Sequence, residues 1–69
     1  MNTAVLKVEG MSCEHCVKAV ENAVKALDGI ESVAVSLAEK TATVVYDPAV
    51  VDEAHMKMQI EDQGYDVVG

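Results

Sequence analysis

Residues 3–29, TAVLKVEGMSCEHCVKAVENAVKALDG, decide the fold because their hydrophobic pattern changes from the period of a strand to that of a helix. Residues 3–9 alternate well enough for a strand, with Val8 and either Val5 or Leu6 on its apolar side. Over residues 14–27 the apolar side chains recur at spacings of three and four, which predicts a helix with one buried face. The stretch therefore predicts a strand, a short loop and a helix in direct succession.

The rest of the chain repeats this alternation of strands and helices. Residues 30–37 and 41–47 have the pattern of strands, and the short turn between them predicts an antiparallel hairpin. A second helix is expected over residues 52–63, with Asp52 as its N-cap, and a short strand over residues 65–68. The order β-α-β-β-α-β predicts an α+β, ferredoxin-like sandwich, a four-stranded antiparallel sheet with both helices on one face.

The expected core is aliphatic, because the sequence has no Phe or Trp and its only aromatic residues are Tyr46 and Tyr65. In the second helix Met56 and Ile60 are the clearest inward residues. Glu53 stands where an inward aliphatic side chain is expected, which puts the packing of this helix in question. The periodic apolar residues of the first helix are Cys16, Val17, Val20, Ala23, Val24 and Leu27. In the hairpin, Val33, Val35 and Leu37 share one face of the first strand, and Ala42, Val44 and Tyr46 share one face of the second.

The length and charge of the chain exclude several classes of function. A chain of 69 residues is expected to form one domain over residues 1–69 and to bury only roughly 60% of its unfolded surface, which leaves little room for an enclosed substrate pocket. The net charge of -7 disfavours nucleic-acid binding and favours a basic partner. Since no signal peptide and no apolar run of about 20 residues is visible, we expect a cytoplasmic protein without membrane insertion.

The motif that carries chemistry is Cys13-Glu14-His15-Cys16, two cysteines at the junction of a loop and a helix. This spacing allows both sulfurs to point at one ion, and the helix N-terminus favours the thiolate form that binds metal. Soft sulfur ligands select Cu(I), Zn(II), Cd(II) or Hg(II). Zinc sites take three or four protein ligands, whereas Cu(I) tolerates two, so the number of ligands favours copper.

Two other interpretations of the cysteine pair remain open at this point. A Cys-x-x-Cys pair at the start of a helix also describes small dithiol redox proteins. Those proteins often have an aromatic residue before the first cysteine and a proline opposite the pair, whereas here Ser12 precedes Cys13 and the only proline is Pro48. The cysteines could also be ordinary small apolar residues, but they lie in a polar loop and not in the predicted core.

The motif Gly-Met-Ser-Cys-Glu-His-Cys at residues 10–16 and the ending Glu-Asp-Gln-Gly-Tyr-Asp at residues 61–66 resemble the heavy-metal-associated domain family. Within it, the sequence is most similar to bacterial copper chaperones of the CopZ type. The resemblance implies Cu(I) bound by Cys13 and Cys16, with no enzymatic activity. It also implies transfer of the ion to the metal-binding domains of a copper-transporting P-type ATPase, and in some relatives to a copper-responsive repressor. An alternative is that the sequence is one metal-binding module of a larger transporter, although its first and last residues favour a free-standing protein.

Four residues around the pair are expected to support it, and none of them is expected to bind the ion in a single copy of the protein. Met11 is interpreted as a buried anchor of the loop, in preference to a thioether ligand. Ser12 is the expected N-cap of the first helix. His15 is expected to be exposed, either tuning the cysteines electrostatically or supplying a ligand only in a copper-bridged homodimer. Tyr65 is expected beside the site, because the topology returns the chain to the edge where the first helix begins.

Overall fold

The structure, a computed structural model, describes residues 1–68, so Gly69, the last residue of the predicted domain, lies outside the described residues. One antiparallel sheet with the strand order β2-β3-β1-β4 carries two helices, which confirms the predicted ferredoxin-like fold. The elements are β1 (Asn2–Glu9), α1 (Glu14–Lys25), β2 (Ile30–Ser36), β3 (Thr41–Tyr46), α2 (Glu53–Asp62) and β4 (Asp66–Val68). No helix within residues 1–68 is long and apolar enough to cross a membrane.

Strand β1 lies in the middle of the sheet and shows strict alternation of buried and exposed side chains. Ala4, Leu6 and Val8 face the helices and are buried, whereas Val5 is 60% exposed on the other face. The apolar side of the strand therefore includes Leu6 and not Val5. Pairing of Val8 with Val67 places the end of β1 beside β4, at the edge where α1 begins.

The two helices complete an aliphatic core with two fully buried residues each, Val20 and Val24 from α1 and Met56 and Ile60 from α2. An inward aliphatic side chain was expected at the position of Glu53, at the start of α2. Val51, which is buried just before the helix, supplies that aliphatic side chain instead. The remaining buried residues are Ala4, Leu6, Val8, Met11, Ala42, Val44 and Tyr46. The residues that were predicted from the periodic pattern and that pack against this core while partly buried are Cys16, Val17, Leu27, Val33, Val35 and Leu37.

Several predicted boundaries differ from the structure by one or two residues. Helix α1 ends at Lys25 and not Leu27, because Leu27 donates its backbone N–H to Val24 three residues back, which tightens the last turn. Strands β2 and β3 each end one residue earlier than predicted, and β4 begins at Asp66 because its pairing with β1 starts there. Helix α2 has the predicted N-cap, since the Asp52 side chain accepts a hydrogen bond from the His55 backbone N–H at 3.0 Å.

A close approach between two loops fixes the end of the molecule away from the cysteines. Gly29 has a φ of +85°, and a Cβ built on it would lie 2.8 Å from the Val50 Cβ, which is closer than real contacts allow. The Gly29 carbonyl also accepts the backbone N–H of Asp47 at 2.8 Å. Only glycine fits this position, where the loop after α1 packs on the loop before α2.

Candidate metal centre

The loop between β1 and α1 is held in place by a buried methionine. Met11 is 7% exposed and belongs to the core, and Gly10, with a φ of +99°, turns the chain out of β1 just before it. This position agrees with the prediction that Met11 is a buried anchor of the loop. The residues that follow it therefore leave the core from a fixed point.

The N-cap of α1 is Cys13, so the prediction that Ser12 caps this helix is wrong. Cys13 has extended dihedral angles (φ −158°, ψ 174°), and its carbonyl accepts the backbone N–H groups of Cys16 at 3.1 Å and Val17 at 3.2 Å. No side chain caps the helix. The Ser12 hydroxyl oxygen instead lies 3.9 Å from the Cys16 Sγ. Both cysteines therefore lie at the N-terminal end of α1, where the helix dipole favours negative charge.

The two sulfurs lie next to each other at the surface. The Cys13 and Cys16 Sγ atoms are 3.7 Å apart, both thiols are free, and Cys13 is exposed while Cys16 is partly buried. With metal–sulfur bonds of about 2.3 Å, this separation corresponds to an S–metal–S angle of roughly 107°. A linear two-coordinate ion would need the sulfurs to separate by about 1 Å more. A side-chain rotation of the exposed Cys13 can supply that movement.

The environment of Cys16 favours its thiolate. Hydrogen bonding from the Ser12 backbone, followed by the Tyr65 hydroxyl, lowers the pKa of Cys16 from 9.0 to about 6. The same contact raises the pKa of Tyr65, because loss of its proton would end the hydrogen bond to Cys16 and place two negative charges side by side. At neutral pH Cys16 is therefore mostly ionised and ready to bind a soft cation. The Ser12 backbone contribution could not be predicted from residue types, since it arises from the local path of the loop.

Tyr65 lies beside the cysteines, where the topology was expected to place it. It is partly buried in the turn between α2 and β4, and its Cδ1 lies 3.4 Å from the position that a Cβ on Gly10 would take. Gly10 therefore leaves the space in which the tyrosine ring packs on the loop. The structure brings Cys13, Cys16, Ser12 and Tyr65 together, with Met11 in the core that supports them.

His15 lies on the first turn of α1 with an exposed side chain. Over residues 1–68 no group of three or more His, Cys, Asp and Glu side chains is arranged to hold a metal ion. The described part of the chain therefore places the two cysteine thiols together without a third ligand of these types.

Comparison with known proteins gives results that agree with this geometry. Residues 5–66 match the heavy-metal-associated domain. The chain is 50% identical over 68 residues, 99% of its length and 100% of the relative's, to the copper chaperone CopZ of Staphylococcus aureus (strain bovine RF122 / ET3-1). A solved structure described as CopZ metallochaperone superposes with a TM-score of 0.95 at 49% identity, covering 97% of this chain and 100% of that one. A copper binding domain from HMA7, a P-type ATPase, superposes with a TM-score of 0.94 at 34% identity, covering 100% and 96%.

Proposed function

The chain belongs to the heavy-metal-associated domain family, and we propose that it is a cytoplasmic copper chaperone that carries Cu(I) on Cys13 and Cys16. The observation that supports this proposal best is the pair of free thiols at a helix start, with sulfurs 3.7 Å apart and with Cys13 exposed. The similarity to CopZ over nearly the whole chain supports copper as the cargo.

Transfer of the ion proceeds by exchange of thiolate ligands. An acceptor thiolate adds to the two-coordinate ion, and the three-coordinate intermediate then loses one chaperone sulfur. A second acceptor thiolate adds in the same way, and loss of the second chaperone sulfur leaves the ion on the acceptor. Cys13, on the exposed loop, leaves more easily than Cys16, which is partly buried and begins the helix. No covalent bond of an organic substrate changes, so the protein acts as a carrier and not as an enzyme.

The proposed acceptor is a metal-binding domain of a copper-transporting P-type ATPase. The similarity to the copper binding domain of HMA7, a P-type ATPase, supports this choice, because donor and acceptor would then present the same kind of site on the same fold. A copper-responsive repressor is a second acceptor that we propose. Glu9 and Asp66, paired across β1 and β4 at the end of the molecule that carries the thiols, favour a basic surface on either acceptor.

The ligand assignment is tested by replacing Cys13 and Cys16 together with Ser. We expect the double variant to lose stoichiometric, high-affinity Cu(I) binding in a competition titration with a chelator, while its circular dichroism stays unchanged. Size-exclusion chromatography of the same samples tests the copper-bridged homodimer that two exposed thiolates allow. Retention of one tightly bound Cu(I) by the double variant would contradict the assignment.

Transfer is tested by mixing the loaded protein with an apo ATPase metal-binding domain and measuring copper in each after separation. We expect copper to redistribute between them, and faster than it is captured by a chelator of equal affinity. Turnover of a disulfide substrate by the apo protein would instead support the dithiol redox interpretation.

A further inference from the structure

A second group of possible metal ligands lies on α2. His55, Met58, Gln59 and Asp62 are spaced so that they share one face of this helix, and with Leu27 they line a shallow depression beside the end of α1. The side chain of Met58 is 66% exposed, so its sulfur is accessible from solvent. None of these residues takes part in the cysteine site.

The imidazole of His55 is held by the residue that caps the helix. Its Nδ1 lies 2.6 Å from the Asp52 Oδ1, which also accepts the His55 backbone N–H at 3.0 Å. A carboxylate can only accept, so Nδ1 carries the proton and the lone pair of Nε2 is free in the neutral ring. The contact also lowers the pKa of Asp52, which keeps the carboxylate ionised. A carboxylate on one ring nitrogen is the usual arrangement of a histidine that binds metal through the other.

We propose that His55 Nε2 and Met58 Sδ form a second and weaker site for a soft monovalent cation, Cu(I) or its analogue Ag(I). Residues three apart on a helix are neighbours, with Cβ atoms about 5–6 Å apart, so one ion can contact both side chains. An imidazole and a thioether suit Cu(I), and the carboxylate of Asp62, one turn after Met58, adds negative charge to the same depression.

Divalent ions are not expected to occupy this site. Zinc takes at least three protein ligands, and within residues 1–68 no set of three His, Cys, Asp and Glu side chains could hold an ion. The thioether therefore decides which metal binds. Because both ligands are exposed and neutral, they hold the ion less tightly than two thiolates. The proposal does not depend on the chaperone function.

The test is a titration of the intact protein with Ag(I), followed by NMR of labelled methionine methyl groups and the histidine rings. We expect the first equivalent to bind the thiolates and leave the Met58 methyl signal unchanged. The second equivalent should shift the Met58 methyl and the His55 ring together. Met1, which is 71% exposed, serves as the control for non-specific thioether contact. Equal shifts of Met1 and Met58, or no shift of Met58, would overturn the proposal.

A second arm uses the Cys13→Ser, Cys16→Ser background, in which only the weaker site remains. Adding Met58→Leu or His55→Asn should each weaken Ag(I) binding by about tenfold or more, whereas Met1→Leu should leave it unchanged. Circular dichroism shows whether α2 is still folded. Undiminished binding in either helix variant, with α2 intact, would exclude a joint His–Met site. If the first titration shows that Ag(I) does not bind the thiols but does bind at His55 and Met58, the result would count against the chaperone function and not against this site.

Discussion

Replacement of Met11 distinguishes a buried anchor from a copper ligand, the two roles that its position beneath the thiols allows. Met11→Ala removes the side chain that fills the core under the loop, where the methionine is 7% exposed. Met11→Leu keeps the volume and removes only the sulfur. If Met11 is an anchor, the alanine variant should be much less stable than the leucine variant, and the leucine variant should keep its affinity for copper.

The expected magnitudes follow from burial. Truncation of a buried methionine to alanine costs about 2–5 kcal/mol, and the change to leucine costs less than about 1.5 kcal/mol. A domain of 69 residues has a total stability of roughly 3–10 kcal/mol, so the alanine variant loses a large part of it. With an m-value near 1 kcal/mol/M, its urea midpoint should fall by roughly 2 M or more.

The assays are urea unfolding followed by circular dichroism and an anaerobic Cu(I) titration against a competing chelator. We expect Met11→Leu to bind copper as the wild type does. A loss of about tenfold or more in the copper affinity of Met11→Leu, about 1.4 kcal/mol, with an unchanged urea midpoint, would refute the anchor interpretation. An alanine variant as stable as the wild type would refute the burial argument itself.

The remaining predictions concern the thiolate, a glycine and a cap. Tyr65→Phe should raise the pKa of Cys16 from about 6 toward 9.0. The change is measured as a shift to higher pH of the ultraviolet absorbance of the thiolate, and an unchanged titration curve would exclude the contact between the Tyr65 hydroxyl and Cys16. Because the folded state holds this thiol proton less tightly, wild-type stability should rise with pH between about 6 and 9.0 and fall on acidification through that range. In urea unfolding, Gly29→Ala should lower the free energy of unfolding by about 1–3 kcal/mol more than Gly64→Ala. Gly64 also has a positive φ but has open space around it, so equal losses would contradict the close approach at Gly29. Asp52→Ala should lose about 1 kcal/mol of stability and Asp52→Asn much less, because asparagine also caps helices, and equal losses would argue against the cap.

The order of the elements and the closeness of Tyr65 to the loop could be predicted because they depend on hydrophobic period and topology. Met56 and Ile60 were also assigned correctly to the core, since residues four apart on a helix share one face. The choice between Val5 and Leu6 could not be made, because adjacent apolar residues fit either phase of a strand and only the register with β3 selects one.

Local backbone geometry explains the features that the sequence did not reveal. Ser12 is a good N-cap by residue type, yet the loop places Cys13 at that position, since Met11 must reach the core two residues earlier. The Ser12 backbone contribution to the pKa of Cys16 depends on the same path and has no signature in residue types. The burial of Val51 was missed because the residue lies outside any periodic segment.

The strand order leaves the sheet open at two edges, and both are poor templates for another strand. On one side β4 is only three residues long. On the other side the register of β2 is interrupted between Ile30 and Ser32, and Glu31 is exposed there. Short or irregular edges with a charged side chain oppose the edge-to-edge pairing that leads to aggregation. The sheet is therefore protected from pairing with other strands although the Cys13 thiol at one end of the molecule stays exposed.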